Sequence, residues 1–211
     1  MNQNTLILLA ILALLLPFLG FVLLIFWGRK RLPRQGDVIE TGLVLGSLVL
    51  SFIIFFNKIL YFPNPIEWKF EWVNFGFVEN WGEMKITLGI LIDNLSATML
   101  VVVTVVSSLV HIFSIGYMKD DVRYSRYFAY LGFFTFSMLG IVLTNNFFTM
   151  YVFWELVGVS SYLLIGHWYE KKSASDAAKK AFIVNRVGDF GFFVGIMIIW
   201  ASLKTFLFGS P

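Results

Sequence analysis

The chain has 211 residues, of which 58% are hydrophobic and 14% charged, and it contains 24 phenylalanines. This balance lies outside that of soluble domains and indicates a membrane protein. The net charge of +3 comes from basic residues between apolar spans, so nucleic acid is not an expected partner. Because the chain has no cysteine, it cannot form disulfides or cysteine-ligated iron–sulfur clusters, and any redox chemistry is expected elsewhere.

Six apolar runs are long enough to cross the ~30 Å hydrocarbon layer as helices. Asp93 is placed to cap the first backbone amides of the third run. The first run lacks a preceding basic segment and is too long for a signal-peptide core, which predicts a retained helix. The fold class predicted is an all-α polytopic membrane protein with six transmembrane helices. The runs cover about residues 5–27, 39–56, 94–117, 127–143, 147–168 and 180–203.

Basic residues are concentrated in the loops after the first, third and fifth runs. By the positive-inside rule these loops face the cytoplasm and the amino terminus lies outside. A bacterial inner (cell) membrane is the expected location. The basic positions are Arg29, Lys30, Arg31, Arg34, Lys119, Arg123, Arg126, Lys171, Lys172, Lys179 and Lys180.

The long loop between the second and third runs has the alternation of a β-hairpin. Aromatic residues at 68, 70 and 72 alternate with charged ones, and apolar residues alternate with smaller or polar ones over 84–92. The turn is predicted near Asn80-Trp81-Gly82. Such a hairpin is either an interfacial element with tryptophans at the headgroup level or a docking surface for another subunit.

Glu155 lies in the middle of the fifth apolar run. A charge in lipid costs about 2.5 kcal/mol or more, so a carboxylate at this depth is a candidate proton or ion site. Helical spacing places Gly158, Val159, Tyr162 and Gly166 on the same face, which predicts close packing against another helix. Burial favours the neutral carboxyl and a nearby cation favours the ionised form, as a reversible proton carrier requires. The alternative is a structural carboxyl bonded across helices.

Arg186 and Asp189 open the sixth run and are neighbours on one helix face, joined by Asn185. Each charge therefore has a candidate partner inside the membrane, and proton transfer and structural pairing are both open. Lys180 and Lys179 are expected to extend to the interface, although Lys180 could instead point inward toward a carboxylate.

Two histidines could titrate near neutral pH. His111 belongs to a polar stripe on the third run, together with Thr104, Ser107, Ser108 and Ser114. That stripe could pass protons or simply provide hydrogen bonds between helices. His167 lies beside Trp168 at the end of the fifth run and is expected to be interfacial. Phosphate-binding loops, paired-histidine metal motifs and nucleophile elbows are absent from the sequence, so hydrolytic and nucleotide chemistry are not expected.

Several blocks in a fixed order make the chain similar to a known family over about residues 85–200. They resemble the amino-terminal part of the L subunit (chain 5) of NADH:quinone oxidoreductase, respiratory complex I, which is related to the large subunit of multisubunit Na⁺/H⁺ antiporters. The blocks are 93–96, His111, 117–118, 124–130, 154–158, 161–166, 180–182 and 185–189.

The resemblance implies an antiporter-like, proton-pumping subunit of the membrane arm, with other membrane-arm subunits and the lipid bilayer as partners. NADH, FMN, iron–sulfur clusters and quinone would be bound by other subunits, with no cofactor in this chain. By position, Glu155 resembles the family's fifth-helix glutamate, Asp189 and Arg186 its sixth-helix pair, and His111 its third-helix histidine.

Family members are much longer and contain inverted repeats, each with a broken helix and a buried lysine. The sequence is therefore expected to be a truncated product or fragment, with the lysine partner of Glu155 beyond its end. Its expected divisions are two transmembrane helices (1–60), an outer aromatic hairpin (61–92) and the start of the translocating domain (93–211). An antiporter subunit and a non-catalytic membrane assembly module are the alternatives to a complex I pump subunit.

Overall fold

The computed structural model describes residues 2–28, 31–78 and 82–208. Within these ranges six helices are long and apolar enough to cross a membrane, and an antiparallel hairpin joins the second to the third. This confirms the predicted fold class. Arg29, Lys30 and the turn residues Asn80 and Trp81 lie outside the described residues. The elements are α1 (Gln3–Leu23), α2 (Asp37–Tyr61), β1 (Ile66–Val78), β2 (Gly82–Ile92), α3 (Asn94–Tyr117), α4 (Tyr124–Leu143), α5 (Phe147–Ile165) and α6 (Lys172–Leu203).

The helix boundaries follow local chemistry. Asp93 caps α3 in a capping box, because its side chain accepts from the Ser96 amide while the Ser96 hydroxyl accepts from the Asp93 amide. α5 ends at Ile165, before the predicted residue 168, and Gly166 is its carboxyl-terminal cap. α6 begins at Lys172, well before the predicted residue 180. Alanines at 174, 177 and 178 favour helix there, although residues 172–179 are too polar to be predicted as part of a membrane span.

A serine side chain compensates for the proline inside α1. Pro17 has no amide hydrogen, so the Ala13 carbonyl one turn earlier lacks its usual donor. Ser47 of α2 donates its hydroxyl to this carbonyl over 2.6 Å, and both residues are fully buried. The proline is thereby accommodated and α1 is joined to α2.

The helices pack as a bundle in which α1 contacts α2 and α4, α2 contacts α3, and α5 lies between α4 and α6. One apolar cluster forms near the hairpin and includes Leu6, Ile92 and Leu139. A second, around Leu24 and Phe128, lies at the opposite end, near the basic loops. These two ends are called the hairpin end and the basic end below.

The hairpin is buried at its base, and its aromatic residues are exposed. Its register pairs Ile66 with Ile92 and Trp68 with Ile90, and the two paired strands confirm the predicted hairpin. Ile66, Ile90 and Ile92 are buried, whereas the side chain of Trp68 is exposed. Asn145, in the turn between α4 and α5, fixes the sheet by donating to Glu67 over 2.8 Å. Whether the aromatic side meets headgroups or another subunit stays a prediction.

Candidate proton-transfer site

The central feature of the α5–α6 interface is an ion pair between Glu155 and Arg186. In the isolated chain the Glu155 side chain is 20% exposed and that of Arg186 44%. The second carboxylate oxygen, Glu155 Oε1, is buried and has no hydrogen-bond donor among the described residues. The carboxylate therefore has a cationic partner in Arg186, and the Tyr151 hydroxyl interacts with the same carboxylate.

The face of α5 that carries Glu155 packs against α6. A Cβ at Gly158 would lie 2.6 Å from the Asn185 amide nitrogen, so glycine permits this close approach. Further along the same face the Tyr162 ring meets the Phe182 ring, with centroids 5.6 Å apart. The small-residue face thus explains how Glu155 comes within reach of a cation on the next helix.

Asp189 is the second carboxylate of this site and is only 1% exposed. It accepts hydrogen bonds from the Trp154 indole at 2.9 Å and from the Asn185 amide at 3.3 Å. Arg186 lies 3.6 Å from it, so one guanidinium stands between the Asp189 and Glu155 carboxylates. Sequence reasoning placed Arg186 beside Asp189, but it did not identify Trp154 as a donor.

An open cleft of about 1030 Å³ borders this site. Its walls are mainly apolar and come from α4, α5 and α6, with Trp154, Asn185 and Asp189 among the lining residues. Lys180 lines the same cleft with an exposed side chain. Lys180 and Asp189 therefore share one cavity, although no ion pair joins them among the described residues.

His111 lies in a separate polar group between α3 and α4. Its Nδ1 is 2.8 Å from the Ser107 carbonyl oxygen, and the Ser107 hydroxyl is 2.6 Å from that of Thr135 on α4. The ring is fully buried and its Nε2 has no hydrogen-bond partner in the described part of the chain. None of these contacts involves Glu155, so the structure groups Glu155 with Arg186 and Asp189 and leaves His111 apart.

His167 belongs to the loops at the basic end. Its Nε2 lies 3.2 Å from an Asp121 carboxylate oxygen, and its carbonyl accepts from Arg123 over 3.1 Å. The Trp168 indole donates to the same carboxylate over 2.8 Å. These contacts tie the α3–α4 loop to the α5–α6 loop.

Asp121 is the charged centre of this loop contact. Burial raises the pKa of the Asp121 carboxyl, but the hydrogen bonds that it accepts outweigh burial. The Arg123 amide, the Trp168 indole and the His167 ring together lower the pKa below its ordinary value of 3.8. The carboxylate therefore stays ionised over the neutral range.

Sequence analysis missed a buried carboxyl, that of Glu40 near the start of α2. It is fully buried, and neither oxygen has a hydrogen-bond partner among the described residues. The sequence signal that could have identified Glu40 is the same one that identified Glu155, namely an acidic residue within an apolar run. Glu40 was overlooked because it stands at the edge of that run, where a charge usually reaches the interface.

No group of three or more potential metal ligands occurs among the residues that the structure describes.

Two family models match this chain. Residues 77–128 match the amino terminus of chain 5 of NADH-ubiquinone oxidoreductase (complex I), and residues 144–209 match the transmembrane region of NADH:quinone oxidoreductase and Mrp antiporter proteins. The second match contains Glu155, Arg186 and Asp189. His111 falls within the first.

Curated relatives agree with these models. The chain is 44% identical over 195 residues to NAD(P)H-quinone oxidoreductase subunit 5 of the Paulinella chromatophora chromatophore, covering 89% of this chain and 28% of that protein. It is also 44% identical to NADH-quinone oxidoreductase subunit L of Rhodobacter capsulatus, covering 87% and 26% respectively. The chain therefore spans little more than a quarter of the length of these relatives.

A solved structure shares the fold. One chain of the archaeal membrane-bound sulfane sulfur reductase, a respiratory membrane complex, matches with a TM-score of 0.75 at 18% identity. The match covers 98% of this chain and 39% of that one. The two family models and the curated relatives show that the chain belongs to the family of the chain 5 (L) subunits of NADH:quinone oxidoreductase.

Proposed function

We propose that this chain is part of a proton-translocating membrane-arm subunit of NADH:quinone oxidoreductase, with Glu155 as its proton carrier. The observation that carries the proposal is the Glu155–Arg186 ion pair inside the membrane helices, with Asp189 as a second partner for the same cation. Subunits of this kind work within larger assemblies. Other membrane-arm subunits are accordingly its partners, and NADH, FMN, iron–sulfur clusters and quinone belong to other subunits.

Arg186 determines whether Glu155 holds a proton. At an effective dielectric constant of about 20, a unit cation about 4 Å away stabilises a carboxylate by roughly 4 kcal/mol. While Arg186 faces Glu155 the carboxylate stays ionised. When the guanidinium moves toward Asp189, Glu155 loses this stabilisation and takes up a proton. The return of Arg186 expels that proton, so alternate access of the cleft to the two sides gives net transport.

The other candidate residues have supporting roles in this proposal. Asp189 is the alternative partner of Arg186, and Trp154 keeps it in place. Lys180 supplies positive charge at the cleft, and His111 is a separate proton-holding group. His167 and Asp121 connect the loops at the basic end, which we assign to the cytoplasmic side of a bacterial inner membrane. The division at residues 60 and 92 into helix pair, hairpin and translocating segment belongs to the same proposal.

The large subunit of a multisubunit Na⁺/H⁺ antiporter is the second candidate. The family model over residues 144–209 includes Mrp antiporter proteins, and a paired glutamate in the membrane suits either machine. The two differ in their energy source. A complex I subunit moves protons only during NADH oxidation, whereas an antiporter moves them in response to an imposed sodium gradient.

The test is Glu155→Gln in the full-length protein, assembled in its membrane complex. We expect proton uptake per quinone reduced to fall at least about tenfold, because the amide cannot exchange the proton. The matched control is Glu71→Gln, an exposed hairpin glutamate paired with Lys85, which should leave transport unchanged. Unchanged proton uptake in an assembled Glu155→Gln complex would contradict the proposal. Loss of assembly without loss of transport per complex would support a purely structural module.

A further inference from the structure

Glu40 is a second carboxyl inside the membrane helices, and its surroundings differ from those of Glu155. It is fully buried between α1, α2 and α4. Both of its oxygens are buried, and none of the described residues donates a hydrogen bond to either of them. Glu40 thus carries an acceptor group with no donor to satisfy it.

Two glycines make the space for this carboxyl. A Cβ at Gly20 of α1 or at Gly132 of α4 would overlap the Glu40 carboxyl oxygens. The Pro17 carbonyl borders the same space, at 3.1 Å from where a Gly132 Cβ would be. The carboxyl is therefore enclosed by the backbones of neighbouring helices, and none of the cationic side chains that the structure describes pairs with it.

This enclosure determines the charge state. An ionised carboxylate without a donor or cation is very costly in a low-dielectric interior, so such groups become neutral. A neutral carboxyl also carries one hydrogen that it can donate, and the Pro17 carbonyl lies on the same side of the space. The site accordingly fits a carboxyl that binds a proton.

A route to Glu40 begins at the basic end. Asp37 lies one turn earlier on the same face of α2 and accepts hydrogen bonds from the Tyr124 hydroxyl and from Arg34, each at 2.8 Å. An open pocket of about 630 Å³ reaches both Asp37 and Tyr124. Side chains three residues apart on a helix are neighbours, and Asp37 is the neighbour of Glu40 that lines this pocket.

Within residues 2–28, 31–78 and 82–208, no other helix pairs a cation with this carboxyl. α1 contributes no titratable side chain, since Gln3–Leu23 is uncharged throughout. On α4, Gly132 lies one turn from Phe128, which contacts the His111 ring, and close to Thr135, which bonds Ser107. The titratable groups around this interface are Arg34, Asp37, His111, Tyr124 and Tyr127.

We propose that Glu40 is a second proton-binding site of this chain, loaded from the basic end through Asp37 and Tyr124. A proton from water in the pocket binds the Asp37 carboxylate and passes to the Glu40 carboxylate, which becomes neutral and leaves Asp37 ionised beside Arg34. Release runs in the reverse direction. The inference goes beyond the proposed function and holds whether or not Glu155 carries protons.

Infrared spectroscopy of the assembled complex tests this directly, because a protonated carboxyl has a carbonyl band that a carboxylate lacks. At neutral pH the wild-type spectrum should contain a protonated-carboxyl band that Glu40→Gln removes. The band should decrease reversibly as the pH is made alkaline, and Asp37→Asn should slow that change. Glu71→Gln is the control, since an exposed glutamate contributes no such band at neutral pH.

Each outcome decides the proposal. If Glu40→Gln leaves the protonated-carboxyl region unchanged, Glu40 is ionised and the proposal is wrong. A band that Glu40→Gln removes but that never responds to pH also overturns it, because the carboxyl is then a permanently neutral packing element. Should Glu40→Gln fail to assemble, Glu40→Asp keeps a carboxyl and should shift the band, and an unshifted spectrum again refutes the site. Proton pumping is not needed for any of these measurements.

Discussion

Glu155 and Glu40 are both carboxyl groups within membrane-spanning helices, but the chain accommodates them differently. Glu155 pairs with Arg186 on the neighbouring helix, beside Asp189, which lines an open cleft. Glu40 pairs with no cation among the described residues and is enclosed by glycine-containing helices. Asp121, in the loops at the basic end, is a third case, because the Arg123 amide, the Trp168 indole and the His167 ring hold it ionised outside the spans.

A carboxyl near or inside lipid is thus stabilised in this chain in three different ways. Pairing keeps the charge and makes it depend on where the partner cation is. Enclosure removes the charge by keeping a proton on the group. Hydrogen bonding at the interface keeps the charge with little dependence on one partner. Each solution is expected to respond to mutation in its own way.

The largest effect is expected for Arg186→Met. The substitution leaves the Glu155 and Asp189 carboxylates without their shared cation, and because Asp189 is only 1% exposed, removing the cation beside this buried charge costs about 3 kcal/mol. The free energy of unfolding of the detergent-solubilised protein should fall by this amount. Lys180→Met, which removes an exposed cation from the same cleft, should change it little. Equal stability of the Arg186→Met variant and wild type would show that Arg186 does not neutralise the site.

Gly132→Ala tests the enclosure of Glu40. The added methyl group would overlap the Glu40 carboxyl, and overpacking of this kind costs about 2 kcal/mol in the free energy of unfolding. Gly42→Ala is the matched control, because a Cβ there meets nothing within 4 Å and the alanine favours helix. Combining Gly132→Ala with Glu40→Ala should recover most of the loss. If it does not, the two residues are not in contact as described.

Trp154→Phe, which removes a donor from the paired carboxylates of α5 and α6, should have a smaller effect. Phenylalanine keeps the aromatic ring but removes the indole donor to Asp189, a hydrogen bond to a charged group worth about 1.5 kcal/mol. Thermal unfolding should detect this loss. Trp72→Phe, at an exposed hairpin position, should have no comparable effect. Loss of the same size at both positions would mean that ring packing, and not the donor, is what matters.

The smallest effect is expected from Asp121 and depends on pH. Its pKa is lower in the folded chain than its ordinary value of 3.8, so its stabilisation is fully present above that value. As the pH falls through the lowered pKa, the carboxylate is protonated and this stabilisation is lost. We expect less than about 1 kcal/mol, because the group lies near the surface.

Asp121→Asn should abolish this part of the acid dependence of thermal unfolding. The neighbouring Asp120→Asn should leave it in place, because Asp120 is exposed and the hydrogen bonds to Asp121 remain. Identical acid profiles for wild type and Asp121→Asn would contradict the assignment.

The membrane helices and hairpin could be read from the sequence because their signals are local. Apolar length defines the spans, strict alternation defines the strands, and Asp93 marks the start of α3. The early start of α6 was not predicted, since residues 172–179 favour helix by propensity but are polar. Helix propensity favours a start near residue 172, whereas hydropathy favours a start near residue 180, and the prediction followed hydropathy.

Contacts between helices account for what was missed at the candidate sites. Spacing along one helix correctly placed Arg186 beside Asp189, but the Arg186–Glu155 contact depends on how closely Gly158 lets α6 approach. Glu40 could have been selected by the rule that selected Glu155. The absence of a partner for Glu40 among the described residues could not be predicted, because it depends on Gly20 and Gly132, which are distant in sequence.

The hydrogen bond from Ser47 to the Ala13 carbonyl bears on how the chain enters the bilayer. The helix that contains Pro17 is synthesised before α2 and would by itself expose an unpaired carbonyl to hydrocarbon, where no water can satisfy it. That carbonyl is satisfied only when the segment that carries Ser47 arrives beside it. We therefore expect the first two spans to leave the translocon as a pair, and Ser47→Ala both to slow the insertion of the first span and to weaken the packing of α1 on α2.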